Sequence, residues 1–215
     1  MIDYLPPPDL GSPVIFADDW LIIADKPSGL LSVPGRGPDK ADCLVSRIQR
    51  DYPDALAVHR LDMSTSGLLV LARGEAMHSH FSRLFRERAV DKRYIAVVAG
   101  LMQDDQGEID LPLICDWPNR PRQKVDFEIG KPSLTRYQVL CRDPVAQTTR
   151  VALEPVTGRS HQLRLHLSAL GHGILGDELY GDVTRAERLL LHAMDLAFIH
   201  PVSGQRIEFH APPGF

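Results

Sequence analysis

The sequence predicts an α+β fold: a mixed, mainly antiparallel β-sheet with a few flanking helices. Apolar runs short enough for strands recur along the chain, joined by Gly, Pro and Asp turns. Only two or three segments carry helical periodicity. No shift in composition divides the 215 residues, so a single domain over residues 13–215 is expected behind a flexible leader, residues 1–12.

The leader carries Pro6-Pro7-Pro8 and Gly11, which read as loose chain. From Pro13, VIFADDWLIIADKP forms two short strands with a turn at Asp18-Asp19. The Gly and Pro density of KPSGLLSVPGRGPDK marks a long loop. Gly67 to Ala72, GLLVLA, is apolar throughout and reads as a buried central strand. Glu75 to Arg88 is the clearest helix, with Met77, Phe81, Leu84 and Phe85 on one face. Arg93 to Val98 is a further strand, and the Pro-rich, charged run Pro112 to Pro132 reads as an exposed excursion. Leu134 to Arg142 and Thr149 to Val156 are expected to pair. Gly158 to Leu170 follows as a helix stopped by Gly171. Leu189 to Ile199 and Arg206 to Phe209 supply the last strands.

Composition narrows the function classes. No run approaches the ~18 apolar residues of a membrane span, and the N-terminus lacks the basic start and apolar run of a secretory signal. Cys43, Cys115 and Cys141 are far apart and form no C-x-x-C pair, which argues against a disulfide framework or structural zinc. A cytoplasmic protein is expected. The net charge of −4 is unevenly spread: five of the 28 acidic residues and none of the 24 basic ones fall in residues 1–25. The rest is close to neutral, with basic segments at Arg83–Arg93 and Arg120–Arg136 that read as solvated faces or as polyanion contacts. A phosphate loop, H-E-x-x-H, G-x-S-x-G and the zinc-deaminase pattern are all missing. Neither cofactor-dependent redox chemistry nor nucleotide hydrolysis is favoured.

What chemistry remains lies in three segments. His59-Arg60-Leu61-Asp62-Met63-Ser64-Thr65-Ser66-Gly67 is a polar loop feeding the apolar strand, a common place for catalytic groups. By spacing alone Asp62 reads equally as an Asx-turn residue organising that loop. Lys92-Arg93-Tyr94 opens a strand, where Tyr94 is either an ordinary sheet residue or a face for a nucleobase. In Gly158-Arg159-Ser160-His161-Gln162-Leu163-Arg164-Leu165-His166, helical spacing puts Leu163, Leu167 and Leu170 on one face. Arg164, His161 and Ser168 fall on the other, so Arg164 points to water or into a cleft.

HRLDMSTSGLLVLA resembles the signature of the RluA family of pseudouridine synthases, whose core is H-R-L-D-x-x-T-S-G. KPSGLLSVPG before it, KRY after it, and GRSHQLRLH followed by GHGILGDELYG complete the resemblance over roughly residues 20–210. The linking segment LPLICDWPNRPRQKV and the short N-terminus resemble the dual-specificity branch, which modifies a stem-loop of 23S rRNA and the anticodon stem-loop of certain tRNAs. The resemblance implies the pseudouridine synthase catalytic fold, no S4 domain, no cofactor and no metal. It implies RNA as partner (not DNA or a membrane). A monomer is expected because no obvious apolar seam is left over. It further implies Asp62 as the essential carboxylate, Arg164 as its paired cation and Tyr94 as the residue stacking on the target uracil. His59, Arg60, Arg159, His161 and Gln162 are expected at the substrate, with Arg60 filling the space of an extruded base. A nucleoside hydrolase and a non-catalytic RNA-binding protein are the rival classes. Free uracil as product would mark the first, and a lost Asp62, Tyr94 or Arg164 would have marked the second.

Overall fold

The computed structural model describes residues 4–215. In chain order its elements are β1 (Val14–Ala17), β2 (Leu21–Lys26), α1 (Leu44–Ile48), β3 (Ala55–Ala57), β4 (Ser66–Arg73) and α2 (Gly74–Glu87). There follow β5 (Asp91–Ala99), β6 (Gln106–Asp110), β7 (Leu113–Cys115), β8 (Gln123–Val125), β9 (Leu134–Asp143) and β10 (Thr148–Pro155). The last are α3 (Gln162–Ala169), β11 (Leu191–Ile199) and β12 (Arg206–His210). The chain packs as two compact units. One holds the residues up to Asp91 together with Ala193–Gly214, the other Lys92–His192 with Phe215.

In the first unit the strands lie in the order β1-β2-β4-β11, with β12 beside β11 and β3 beside β4. The pairings of β1 with β2, β2 with β4, β3 with β4 and β11 with β12 are antiparallel. Asp18 makes the first turn, its Oδ1 accepting from the N–H groups of Trp20 and Leu21 at 2.7 and 2.9 Å. Every residue from Ser66 to Ala72 is buried, as the apolar run predicts. Helix α2 lays the predicted face on the sheet, and Phe81 meets Phe198 edge-on, 5.5 Å between ring centres. Gly67 has φ +110°, and a Cβ there would come within 2.3 Å of the Ala193 carbonyl oxygen.

The expected leader falls partly on residues 1–3, which lie outside the described residues. From Tyr4 to Asp9 the chain is held in place. The buried Arg47 side chain donates to the Pro7 carbonyl at 2.7 Å, and Arg50 pairs with Asp9 at 2.6 Å. The loop expected across residues 26–40 contains no regular strand, and α1 follows it unpredicted. Cys43 and Ser46 cap that helix reciprocally: Ser46 N–H donates to Cys43 Sγ and Cys43 N–H to Ser46 Oγ.

The second unit carries the antiparallel order β5-β10-β9-β6 and a separate β7–β8 hairpin. The expected pair at residues 134–142 and 149–156 is β9 and β10. Its core gathers Ala96, Val98, Val151, Leu153, Leu163, Leu167 and Ile174. The excursion at residues 112–132 is largely exposed but not unstructured, because Leu113 is buried and anchors the hairpin. Helix α3 starts four residues later than the sequence predicts. His161 stands in the left-handed region at φ 54°, which breaks the helical path from Gly158.

Candidate active site

Asp62 sits at the head of a turn in the first unit, closed by the Thr65 N–H donating to the Asp62 carbonyl at 3.1 Å. The loop rests on the end of β2 and the segment after it. Lys26 is buried, and its ammonium donates to the carbonyls of Pro27, Leu30 and Met63 at 2.9, 2.7 and 3.0 Å. Three acceptors match the three N–H groups of an ammonium, so this one side chain ties β2 to the residue after Asp62. Burial pushes the Lys26 amine down to about 7, opposed in part by the negative charges of Asp62 and Asp25. Ser28 Oγ donates to the Ser64 carbonyl at 2.7 Å, and the Gly29 N–H to that of Met63 at 2.9 Å. Ser32 Oγ donates to the Leu61 carbonyl at 2.8 Å and accepts from the Leu61 N–H at 3.1 Å. Backbone groups on both sides of Asp62 are therefore fixed from outside the loop.

The two neighbours expected at the substrate differ from each other. Arg60 is exposed. His59 is committed to the protein: its Nε2 accepts from the Val70 N–H at 2.9 Å, and its ring stacks on Phe85 at 4.2 Å. It braces the loop against β4 and α2.

In the second unit Tyr94 lies on β5 opposite Leu153 of β10, half-buried and packed on the core. Arg164 is not directed at water. It is 3% exposed and grips the fully buried Asp177, Nε to Oδ2 at 2.8 Å and Nη2 to Oδ1 at 2.6 Å. Asp177 Oδ1 also accepts from the N–H groups of Leu179 and Tyr180 at 2.9 and 3.1 Å. Burial pushes the Asp177 carboxyl up, but Arg164 and the two N–H groups outweigh it and hold it below its ordinary value. The guanidinium lies 5.5 Å from the Tyr180 ring centre. Tyr180 Oη accepts from the Gln123 N–H and stands 2.9 Å from His161 Nδ1.

Gln162, expected at the substrate, is buried and saturated within the protein. Its Oε1 accepts from Thr157 Oγ1 and the Arg159 N–H, and its Nε2 donates to the Leu134 carbonyl and Thr135 Oγ1. Arg159 is exposed, with Nε 3.3 Å from the Pro132 carbonyl. Thus the structure groups His59, Arg60 and Asp62 in one loop of the first unit. Arg159, His161, Gln162 and Arg164 gather at the start of α3 in the second.

Sequence reasoning missed Lys26, Asp177 and Tyr180. A lysine closing an apolar strand is the only signal for the first, and the G-D-x-x-Y-G run for the others. Among the described residues no three His, Cys, Asp or Glu side chains converge as metal ligands, and no helix is long and apolar enough to cross a membrane.

The basic segments are less charged than their composition. Lys124 pairs with Asp126 at 3.0 Å, and Arg136 with Glu108 at 2.8 Å. Arg120 instead lies 4.1 Å above the ring of Trp117, itself 65% exposed, which leaves a flat cationic surface toward solvent.

Comparison with known proteins adds the family. Residues 20–169 match the family model described as RNA pseudouridylate synthase. A "Dual-specificity RNA pseudouridine synthase RluA" from Pasteurella multocida is 51% identical over 218 residues, covering 100% of this chain and 99% of the relative. The Escherichia coli K12 protein of the same description is 50% identical with the same coverage. Among solved structures, Human RNA Pseudouridylate Synthase Domain Containing 1 superposes with a TM-score of 0.80 at 30% identity, over 98% of this chain and 87% of that one. Human RNA Pseudouridylate Synthase Domain Containing 4 shares the fold, with a TM-score of 0.71 at 24% identity over 93% and 87% of the two chains. With its signature loop braced on Lys26, Ser28 and Ser32, and relatives at half identity along its whole length, the chain belongs to the RNA pseudouridylate synthase family, in the RluA group.

Proposed function

We propose that this RNA pseudouridine synthase acts on uridines in stem-loops of both 23S rRNA and tRNA, including the anticodon stem-loop. The observation that carries the reading is the full-length half identity to relatives described as dual-specificity. In this reading Asp62 is the catalytic carboxylate at the ribose, as nucleophile on C1′ or as base at C2′. The C1′–N1 bond breaks, the C1′–C5 bond forms, the C5 proton leaves and N1 regains one. No water is activated, so the second carboxylate that glycosidases employ is not required. In this reading Arg164 is the cation paired with Asp62, and its bidentate grip on Asp177 fixes the guanidinium plane. Tyr94, half-buried on β5, stacks on the uracil.

Arg60, exposed beside Asp62, fits the role of filling the space of the extruded base, whose unstacking costs about a few kcal/mol. Arg159, His161 and the Trp117–Arg120 surface supply phosphate and base contacts. The enzyme works as a monomer in the cytoplasm, without metal or cofactor, and binds neither DNA nor a membrane. Competition tests the substrate assignment. Each unlabelled stem-loop should inhibit tritium release from the other, 5-tritiated one with a Ki equal to its own KM. Turnover of one RNA alone would contradict dual specificity.

A further inference from the structure

Tyr4 is remote from Asp62 in sequence, yet within the first unit hydrogen bonds connect them. The Tyr4 hydroxyl accepts from the Leu31 N–H at 3.1 Å and donates to the Asp42 carbonyl at 2.9 Å. One side chain thereby joins Leu31 to Asp42 within the segment between β2 and α1. The carbonyls of Leu31 and Ser32 accept in turn from the Leu44 and Val45 N–H groups at the start of α1, at 2.8 and 3.3 Å. Ser32 then holds both backbone polar groups of Leu61, the residue before Asp62. Ser32 and Leu61 are both buried, so water does not readily replace either bond. The segment bearing Tyr4 is anchored separately: Arg47 binds Asp42 through two contacts of 2.8 Å while donating to Pro7.

We propose that Tyr4 is a positioning residue for the reaction. Its hydroxyl sets the Leu31–Ser32 backbone, and Ser32 sets the backbone from which Asp62 projects. The proposal rests on the reading of Asp62 as the catalytic carboxylate. A carboxylate attacking or deprotonating a ribose carbon tolerates little displacement, so a slack support lowers turnover before it lowers RNA affinity.

Full-length Tyr4→Phe, Ser32→Ala, the double variant and Asp62→Ala, assayed for tritium release at saturating stem-loop RNA, test it. Tyr4→Phe keeps the ring and removes only the hydroxyl. Its kcat should fall about fivefold with KM unchanged, at temperatures well below its melting transition. Because both groups act along one path, the double variant should be no slower than Ser32→Ala alone. Wild-type kcat in Tyr4→Phe, a loss confined to KM, or independent losses that multiply in the double variant would overturn the proposal. An inert Asp62→Ala beside a fully active Tyr4→Phe removes the positioning role alone. An active Asp62→Ala removes the catalytic reading and the positioning role with it.

Discussion

Asp177 and Arg164 illustrate why a buried charge is valuable only in company. Each has lost nearly all its water; Arg164 donates twice to Asp177, which also accepts from the N–H groups of Leu179 and Tyr180. Asp177→Asn keeps the shape and removes the charge that Arg164 grips. Urea denaturation should show a loss of about 3–5 kcal/mol. A loss near zero would mean that Arg164 has an equivalent partner elsewhere. His166 makes a second, pH-dependent case. Its Nε2 lies 3.0 Å from the Leu111 carbonyl and must donate to it, so Nδ1 is the acceptor for Thr135 Oγ1 at 2.9 Å. Burial holds its pKa below the ordinary 6.5 in the folded protein. Between those two values the unfolded chain binds the extra proton, so the contribution of His166 to stability is complete above 6.5 and shrinks as pH falls. The stability lead of wild type over His166→Gln should therefore narrow from about pH 8 to about pH 5. A constant lead would show that the ring keeps its ordinary pKa.

Gly67 joins the signature loop to β4, and its lack of a side chain decides how β4 meets β11. At φ +110°, with Ala193 backbone atoms where a Cβ would stand, Gly67→Ala should cost about 3 kcal/mol through strand displacement. Thermal denaturation measures this, and a neutral result would mean that the two strands separate freely. The glycine reads from the sequence as a site of close backbone approach, but not what approaches it, because Ala193 belongs to a strand from the far end of the chain. Elements whose evidence is local were legible: the apolar run of β4, the single greasy face of α2 and the β9–β10 pair all fall where the pattern puts them. Helix α1 was hidden by the Gly and Pro density before it and by a cap built from Cys43, a residue seldom read as one. The late start of α3 has the same kind of cause, since only the backbone angle of His161 records it.

The candidate residues divide between the two compact units, Asp62 in one, Tyr94 and Arg164 in the other. Asp62 is singled out by a polar loop before an apolar strand and by the specific signature within it, Tyr94 and Arg164 by the resemblance of their own segments. Their supports were not legible. Lys26, Ser32 and Asp177 act on residues distant in sequence, and nothing beside them announces the partner. His59 and Gln162 show the converse: both stand inside signature segments, yet their side chains bind the protein itself. Motif membership alone therefore does not tell whether a side chain serves the protein or a substrate.

Asp62 carries the account, and one comparison tests it. RNA stem-loops with tritium on uracil C5 are incubated with wild type and with Asp62→Ala, which shortens a single loop side chain. Wild type should release tritium without free uracil, and Asp62→Ala should release none while still binding the RNA. Tritium release by Asp62→Ala at the wild-type rate would contradict the account.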